Sequence, residues 1–245
     1  LRHSLAGEIT RPLIWYDGTR MDRRGSDQQR LTPELVLRAY AAGIFPMAEF
    51  RDDPNVFWVD PKLRGVLPLD TFHVPRKLRR VIRRNKFDVR VDTAFERVMT
   101  ICAETTDDRR ETWINHEIQN TYVELHYRGF AHSVECWMDD QLVGGLYGIS
   151  LGAAFFGESM FSRKTDASKV ALVHLVARLV SGGFKLLDTQ FVTDHLRQFG
   201  VVEMPARDYL VKLEDAISHQ GVFLTDPDED QLDAILEHLM SGSDA

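Results

Sequence analysis

Three apolar segments joined by very short turns constrain this chain more than any other feature. AHSVECWM (131–138) is followed by Asp139-Asp140, QLVGGLYGISL (141–151) by Gly152, and AAFFGESMF (153–161) closes the run. Turns this short leave neighbouring strands no choice but antiparallel pairing, so the stretch reads as a β-meander. A helix follows over 167–181, where Leu172, Leu175, Val176 and Leu179 recur at i, i+3, i+4 and i+7. His174, Arg178 and Ser181 fall on its other side, and Gly182-Gly183 ends it. FKLLDTQFV (184–192) is the next strand and ARDYLVKLEDAIS (206–218) a later helix. Meander, helix, strand and helix in that order make a mixed, layered α/β domain.

The first half carries clear punctuation as well. In LTPELVLRAYAAGIFP (31–46), Thr32 is an N-cap, Pro33 opens the helix and Gly43 stops it. NVFWVDPKLRGVLPLD (55–70) reads as one or two short strands interrupted by prolines. Val74-Pro75 opens a helix with Leu78, Val81 and Ile82 on one face. FDVRVD (87–92) is a short strand, and TAFERVMTICAET (93–105) and INHEIQNTYVELHYRG (114–129) are helices. Residues 1–30 are weakly patterned and receive no assignment.

Charge is sorted along the chain. Residues 226–245 hold seven Asp and Glu with no Lys or Arg, and the other 30 acids balance the 30 Lys and Arg, so the net −7 belongs to the tail. RKLRRVIRRNK (76–86) places seven basic residues in eleven. Its apolar face is too narrow, and too poor in Trp and Phe, for a membrane surface. A solvated face or a phosphate-backbone track remain. The tail reads as a solubilising extension, although Leu232, Ile235, Leu236 and Leu239 make a stripe able to dock on the body or on the basic helix. Cys102 and Cys136 lie in no CxxC or Cys/His spacing, which argues against a disulfide framework and a structural zinc. No apolar run reaches membrane-spanning length and LRHSLAGEITRPL lacks a signal-peptide core, so a cytoplasmic protein is expected. His132, His174 and His195 are scattered, and neither an HExxH nor a P-loop occurs.

Strand period puts Asp188 and Gln190 on one face of LLDTQ, either a solvated edge or a pair that orients a nucleophile and a carbonyl. Glu158 is either a surface partner of Arg163 or a carboxylate at the mouth of a pocket for a cationic ligand. Tyr147, Phe155, Phe156, Met160, Phe161 and Leu172 are core unless a cavity interrupts them. GESMFSRKTDASKVAL (157–172) is a strand–loop–helix junction, a usual place to hold phosphate, yet the loop from Ser162 to Ser168 has no glycine.

GIFPM (43–47), TWI (112–114), GFAHSVECW (129–137), LVGGLYG (142–148), FFGESMFSRKTDASKVAL (155–172), LLDTQFVTDHLRQFG (186–200) and PARDYL (205–210) together resemble the bacterial leucyl/phenylalanyl-tRNA–protein transferase family. The likeness runs from about residue 31 to 215. It implies a small N-terminal domain (1–62), a GNAT-like acyltransferase domain (63–220) and an acidic extension (221–245). It implies transfer of Leu, Phe or Met from aminoacyl-tRNA to the N-terminal Arg or Lys of proteins, which creates an N-end rule degradation signal. No cofactor, metal or membrane is implied, and a monomer is expected. By the same resemblance Asp188 and Gln190 are catalytic, with Asp188 polarising or holding Gln190, and Glu158 reads the acceptor cation. Leu146, Phe155, Met160, Leu172, Leu175 and Leu187 would form the donor side-chain pocket. Met47, which stands where the family often has Trp, would meet the tRNA end with Trp113, Ser162 and Arg163, and Arg76, Arg79, Arg80, Arg83 and Arg84 would meet its backbone. Gln28-Gln29-Arg30-Leu31 replaces the family's Gly-Gly-Asp-Leu. Rival classes are an acyl-CoA-dependent GNAT N-acyltransferase, disfavoured by the glycine-free loop, and a non-catalytic RNA-binding module.

Overall fold

A computed structural model describes residues 13–16, 19–23, 30–105, 111–226 and 228–241. A first sheet is built from β1 (Leu13–Tyr16), β2 (Thr19–Arg23), β3 (Phe45–Met47) and β4 (Phe57–Asp60), in the order β1-β2-β4-β3 and antiparallel throughout. β1 and β2 lie where patterning assigned nothing, although Asp17-Gly18 between them is a hairpin signal. α1 (Pro33–Ala41) precedes β3. The Thr32 hydroxyl accepts from the Leu35 N–H, and Gly43 leaves the helix at φ +80°, as the sequence expects.

After Pro61 the chain enters a seven-stranded sheet. In chain order come β5 (Leu63–Val66), α2 (Arg76–Arg83), β6 (Asp88–Val91), α3 (Phe95–Cys102), α4 (His116–Tyr127) and β7 (Ala131–Met138). β8 (Gln141–Leu151), β9 (Ala154–Ser162), α5 (Ala167–Ser181), β10 (Leu186–Gln190) and α6 (Asp194–Arg197) follow. β11 (Val202–Pro205), α7 (Ala206–Ser218) and α8 (Glu229–Ser241) end the described chain. The order is β11-β5-β10-β9-β8-β7-β6, so β7, β8 and β9 form the expected meander. β10 returns beside β9 in parallel, through α5 as crossover.

The sheet separates two cores, giving the expected mixed α/β layering. Tyr40, Phe95, Ile118, Tyr147 and Tyr209 pack on the side of α1, α3, α4 and α7. Leu78, Ile82, Leu146, Leu172 and Leu187 pack on the side of α2 and α5. α5 sits hard on β8 because Gly144 has no side chain: a Cβ there would fall 2.3 Å from the Ala167 Cβ.

The C-terminal segment departs from the solubilising-tail expectation. α8 docks on α5 and buries Leu232, Leu236, Leu239 and Met240. The stripe placed every three or four residues needs an apolar partner, and the crossover helix supplies it. α5 is consequently covered on both sides, and Arg178 is buried.

Candidate active site

β10 is the element that builds the site. Asp188 pairs with Val66 of β5 and Gln190 with Gly65, so Thr189 is an extra residue in the ladder. At this bulge Gln190 takes φ +56° and its N–H donates to Asp188 Oδ1 at 2.7 Å. Strict alternation therefore fails at the C-terminal end of the strand. Gly65 makes room, since a Cβ there would lie 2.7 Å from the Phe191 backbone.

Asp188 is wholly buried and accepts from Arg64 Nε at 3.0 Å, Arg64 Nη2 at 2.6 Å and the Tyr209 hydroxyl at 2.6 Å. Arg64 also donates to the Gly43 carbonyl and lies between the rings of Phe45 and Tyr209. Burial opposes the guanidinium charge, but Asp188 outweighs it and holds Arg64 protonated. The solvated-edge reading of Asp188 is thus corrected. Of the two expected actions on Gln190, polarising or holding it, the contact is of the second kind: Asp188 grips the Gln190 backbone N–H.

Glu158 on β9 does not pair with Arg163. Its carboxylate is enclosed although the residue as a whole is half-buried at a cavity wall. Oε1 accepts from the Tyr40 hydroxyl at 2.6 Å and from Gln190 Nε2 at 3.3 Å. Tyr40 has one proton to give, so the Tyr122 hydroxyl, 2.6 Å away, donates to Tyr40. Burial lifts the Glu158 carboxyl to about 8, helped by the Asp188 charge and opposed by Tyr40 and Arg64.

Glu158 and Gln190 line a cavity of about 740 Å³. Leu146, Met160, Leu172, Leu175 and Leu187 form an apolar slot in its wall. Phe155, expected in that slot, does not line it; its buried ring stacks on Phe223 and meets Phe184 edge-on. Met47 and Trp113 line the cavity too, joined by the Ala48 N–H donating to the Trp113 carbonyl.

Ser162 lines the cavity and staples the glycine-free loop. Its hydroxyl donates to the Lys164 carbonyl and accepts from the Ser168 N–H in the first turn of α5. Arg163 points away and pairs with Glu104. Arg76, Arg79, Arg80, Arg83 and Arg84 lie on or next to α2, outside the cavity lining. Arg83 pairs with Glu237 of α8, and Arg79 Nε donates to the Val74 carbonyl.

Arg64, Tyr40, Tyr122 and Tyr209 join the site without having been expected there from the sequence. An arginine in the short apolar strand LRGV was the available signal, since a charge buried there requires a partner.

A family model described as leucyl/phenylalanyl-tRNA protein transferase matches residues 66–214, and one described as the N-terminal domain of that enzyme matches 29–62. The chain belongs to the leucyl/phenylalanyl-tRNA–protein transferase family. Among curated relatives bearing that name, the protein of Paramagnetospirillum magneticum is 62% identical over 193 residues, covering 79% of this chain and 92% of its own. That of Nitrobacter winogradskyi is 58% identical over 200 residues, covering 82% and 89%. That of Caulobacter vibrioides is 57% identical over 192 residues, covering 78% and 88%. A solved structure from Staphylococcus epidermidis covers 76% of this chain and 69% of its own at 10% identity and TM-score 0.37, too distant to carry an argument. In this leucyl/phenylalanyl-tRNA–protein transferase family member, Glu158, Asp188 and Gln190 fall inside the larger matched span. Arg64 lies between the two spans, and α8 lies beyond both.

Proposed function

We propose that the protein transfers leucine, phenylalanine or methionine from aminoacyl-tRNA to the N-terminal Arg or Lys of acceptor proteins, acting as a monomer in the cytoplasm. The product is an N-end rule degradation signal. The observation that carries this reading is one cavity holding an apolar slot beside an enclosed carboxyl and an amide, both fixed from behind. The meander followed by a parallel β9–α5–β10 crossover supports a GNAT-like origin for the sheet.

An aminoacyl ester is already activated, so the chemistry calls mainly for positioning. The α-amine nitrogen attacks the acyl carbon, the ester C–O bond breaks, and the departing ribose oxygen takes the proton, directly or through water. Gln190 Nε2 is committed to Glu158, which leaves its carbonyl oxygen to accept from the amine and aim it. Asp188 serves by fixing the bulge that presents Gln190. The donor side chain fills the slot between Leu146, Met160, Leu172, Leu175 and Leu187. A pocket that reads shape alone separates such side chains by only about 1–3 kcal/mol, hence overlapping use of Leu, Phe and Met. Trp113 stacks on the terminal adenine beside Met47, Ser162 borders the donor site, and the arginines of α2 track tRNA phosphates.

Glu158 reads the acceptor's cation. In the empty site burial keeps it largely protonated near neutral pH, and an incoming guanidinium or ammonium converts it to carboxylate and releases a proton. The test is transfer of labelled leucine from Leu-tRNA to peptides beginning with Arg or with Ala. Transfer confined to the Arg peptide, and weakened through KM in Glu158→Gln, supports the reading. Equal labelling of both peptides overturns the acceptor rule.

A further inference from the structure

A second cavity, of about 650 Å³, lies on the opposite side of α5 from the donor slot, bounded by the α2–β6 turn and α8. Arg178 is one of its walls and is only 6% exposed. Nη1 donates to the His174 carbonyl at 3.3 Å, whereas Nε meets no acceptor. Among the described residues no carboxylate is paired with this guanidinium. Burial alone lowers its affinity for the proton, to about 10.

The neighbouring polar positions on α5 share the condition. His174 Nδ1, in the same cavity, has no partner, and neither has Ser181 Oγ one turn further on. A fold rarely leaves a buried polar atom unsatisfied; Ser181 lies outside the cavity lining, but Arg178 Nε and His174 Nδ1 are both unsatisfied on the helix face that borders it, which marks a place able to receive a partner. Arg178 has its positive charge to match, and a buried cation without a counterion is strongly destabilising.

The rim is composed differently. Lys86 and Asn85 are exposed at the α2–β6 turn, and the Lys86 ammonium sits 5.2 Å over the Phe87 ring. Asp226, Glu229 and Asp233 are exposed acids from α8 and the segment before it, while Asp88 is tied to Arg90. These acids oppose an anion of any size, so Arg178 and Lys86 have to outweigh them, and a cavity of about 650 Å³ under α8 limits the occupant to a compact one.

We propose that Arg178, with His174, Asn85 and Lys86, forms a binding site for a compact oxyanion, a phosphate or a carboxylate group, held beneath α8. Burial and the Arg178 charge keep His174 neutral, so its imidazole has one N–H to offer. The occupied site joins α8 to α5 and to the turn after α2, and thereby sets how firmly the C-terminal helix is seated. It lies outside the donor cavity and does not depend on the transfer reaction.

The test is thermal unfolding of the full chain in titrations of sodium phosphate and, separately, sodium acetate, with sodium chloride at matched ionic strength as control. The wild type is expected to show a saturable Tm rise of about 5–10 °C at a hundredfold excess over Kd with at least one oxyanion, and the two arms tell which group fits. Arg178→Met should lose that rise. Lys86→Ala, at an exposed position that leaves folding intact, should raise the half-saturating concentration several-fold. Responses to both oxyanions no larger than to chloride would mean that water alone fills the cavity, and the proposal fails. An undiminished rise in Arg178→Met, or an unchanged half-saturation in Lys86→Ala, would place the anion elsewhere and also overturn it.

Discussion

Asp188→Ala is expected to damage the fold before it damages the chemistry. The substitution leaves Arg64, 1% exposed, with the Gly43 carbonyl in place of a bidentate counterion. It also strips the Tyr209 hydroxyl and the Gln190 N–H of their acceptor. Breaking a buried ion pair from one side costs about 3–5 kcal/mol, because the surviving charge has neither water nor partner. For a chain of this size that corresponds to a fall in Tm of roughly 6–20 °C. Removing both charges in Arg64→Met/Asp188→Leu should recover the part of the loss that comes from the stranded charge, since apolar replacement of a buried pair is often neutral, while the Tyr209 hydroxyl and the Gln190 N–H stay without their acceptor. Urea unfolding of the wild type, both single variants and the double variant closes the cycle. A loss below about 1 kcal/mol for Asp188→Ala, or a double variant as unstable as the sum of the singles, would show that the two charges do not depend on each other.

Three further outcomes follow from the same contacts. Burial raises the Glu158 carboxyl from 4.5 to about 8, so its ionisation opposes folding. The protonated form's contribution is complete below about pH 4.5 and fades as pH rises through 8, with a slope of at most about 1.4 kcal/mol per pH unit. Glu158→Gln should flatten that slope in urea titrations across the range, and parallel curves for variant and wild type would contradict the assignment. Leu172→Ala deepens the donor slot and should favour Phe over Leu by roughly tenfold in kcat/KM for the charged tRNAs, an unchanged ratio arguing against this wall. Leu236→Ala opens a void between α8 and α5 and should destabilise by about 2–4 kcal/mol in thermal unfolding, whereas a free tail would register nothing.

The meander, the capped helix after Thr32 and the crossover helix were legible because their signals are local: turn residues, caps and repeat spacing. The candidate site was legible only in part. Its positions came from motif likeness, but their partners did not, because Arg64 meets Asp188 across 124 residues and Tyr40 meets Glu158 across 118. No periodic pattern reports contacts of that separation. The bulge at Thr189 also defeats the two-residue period at the one place where side-chain direction matters. α8 was misjudged for a different reason: seven acids dominate the tail's composition, while four apolar side chains decide where its helix docks.

In the proposed reaction Gln190 aims the α-amine from a scaffold that Asp188 holds. The measurement that tests this most directly is single-turnover transfer of labelled leucine from Leu-tRNA to an Arg-initiated peptide by wild type and Gln190→Ala, with both proteins shown to be folded at the assay temperature. Loss of an aiming contact predicts a transfer rate lower by about a hundredfold, with Leu-tRNA affinity retained. Transfer by Gln190→Ala at the wild-type rate would contradict this role for Gln190 and move the chemistry elsewhere in the cavity.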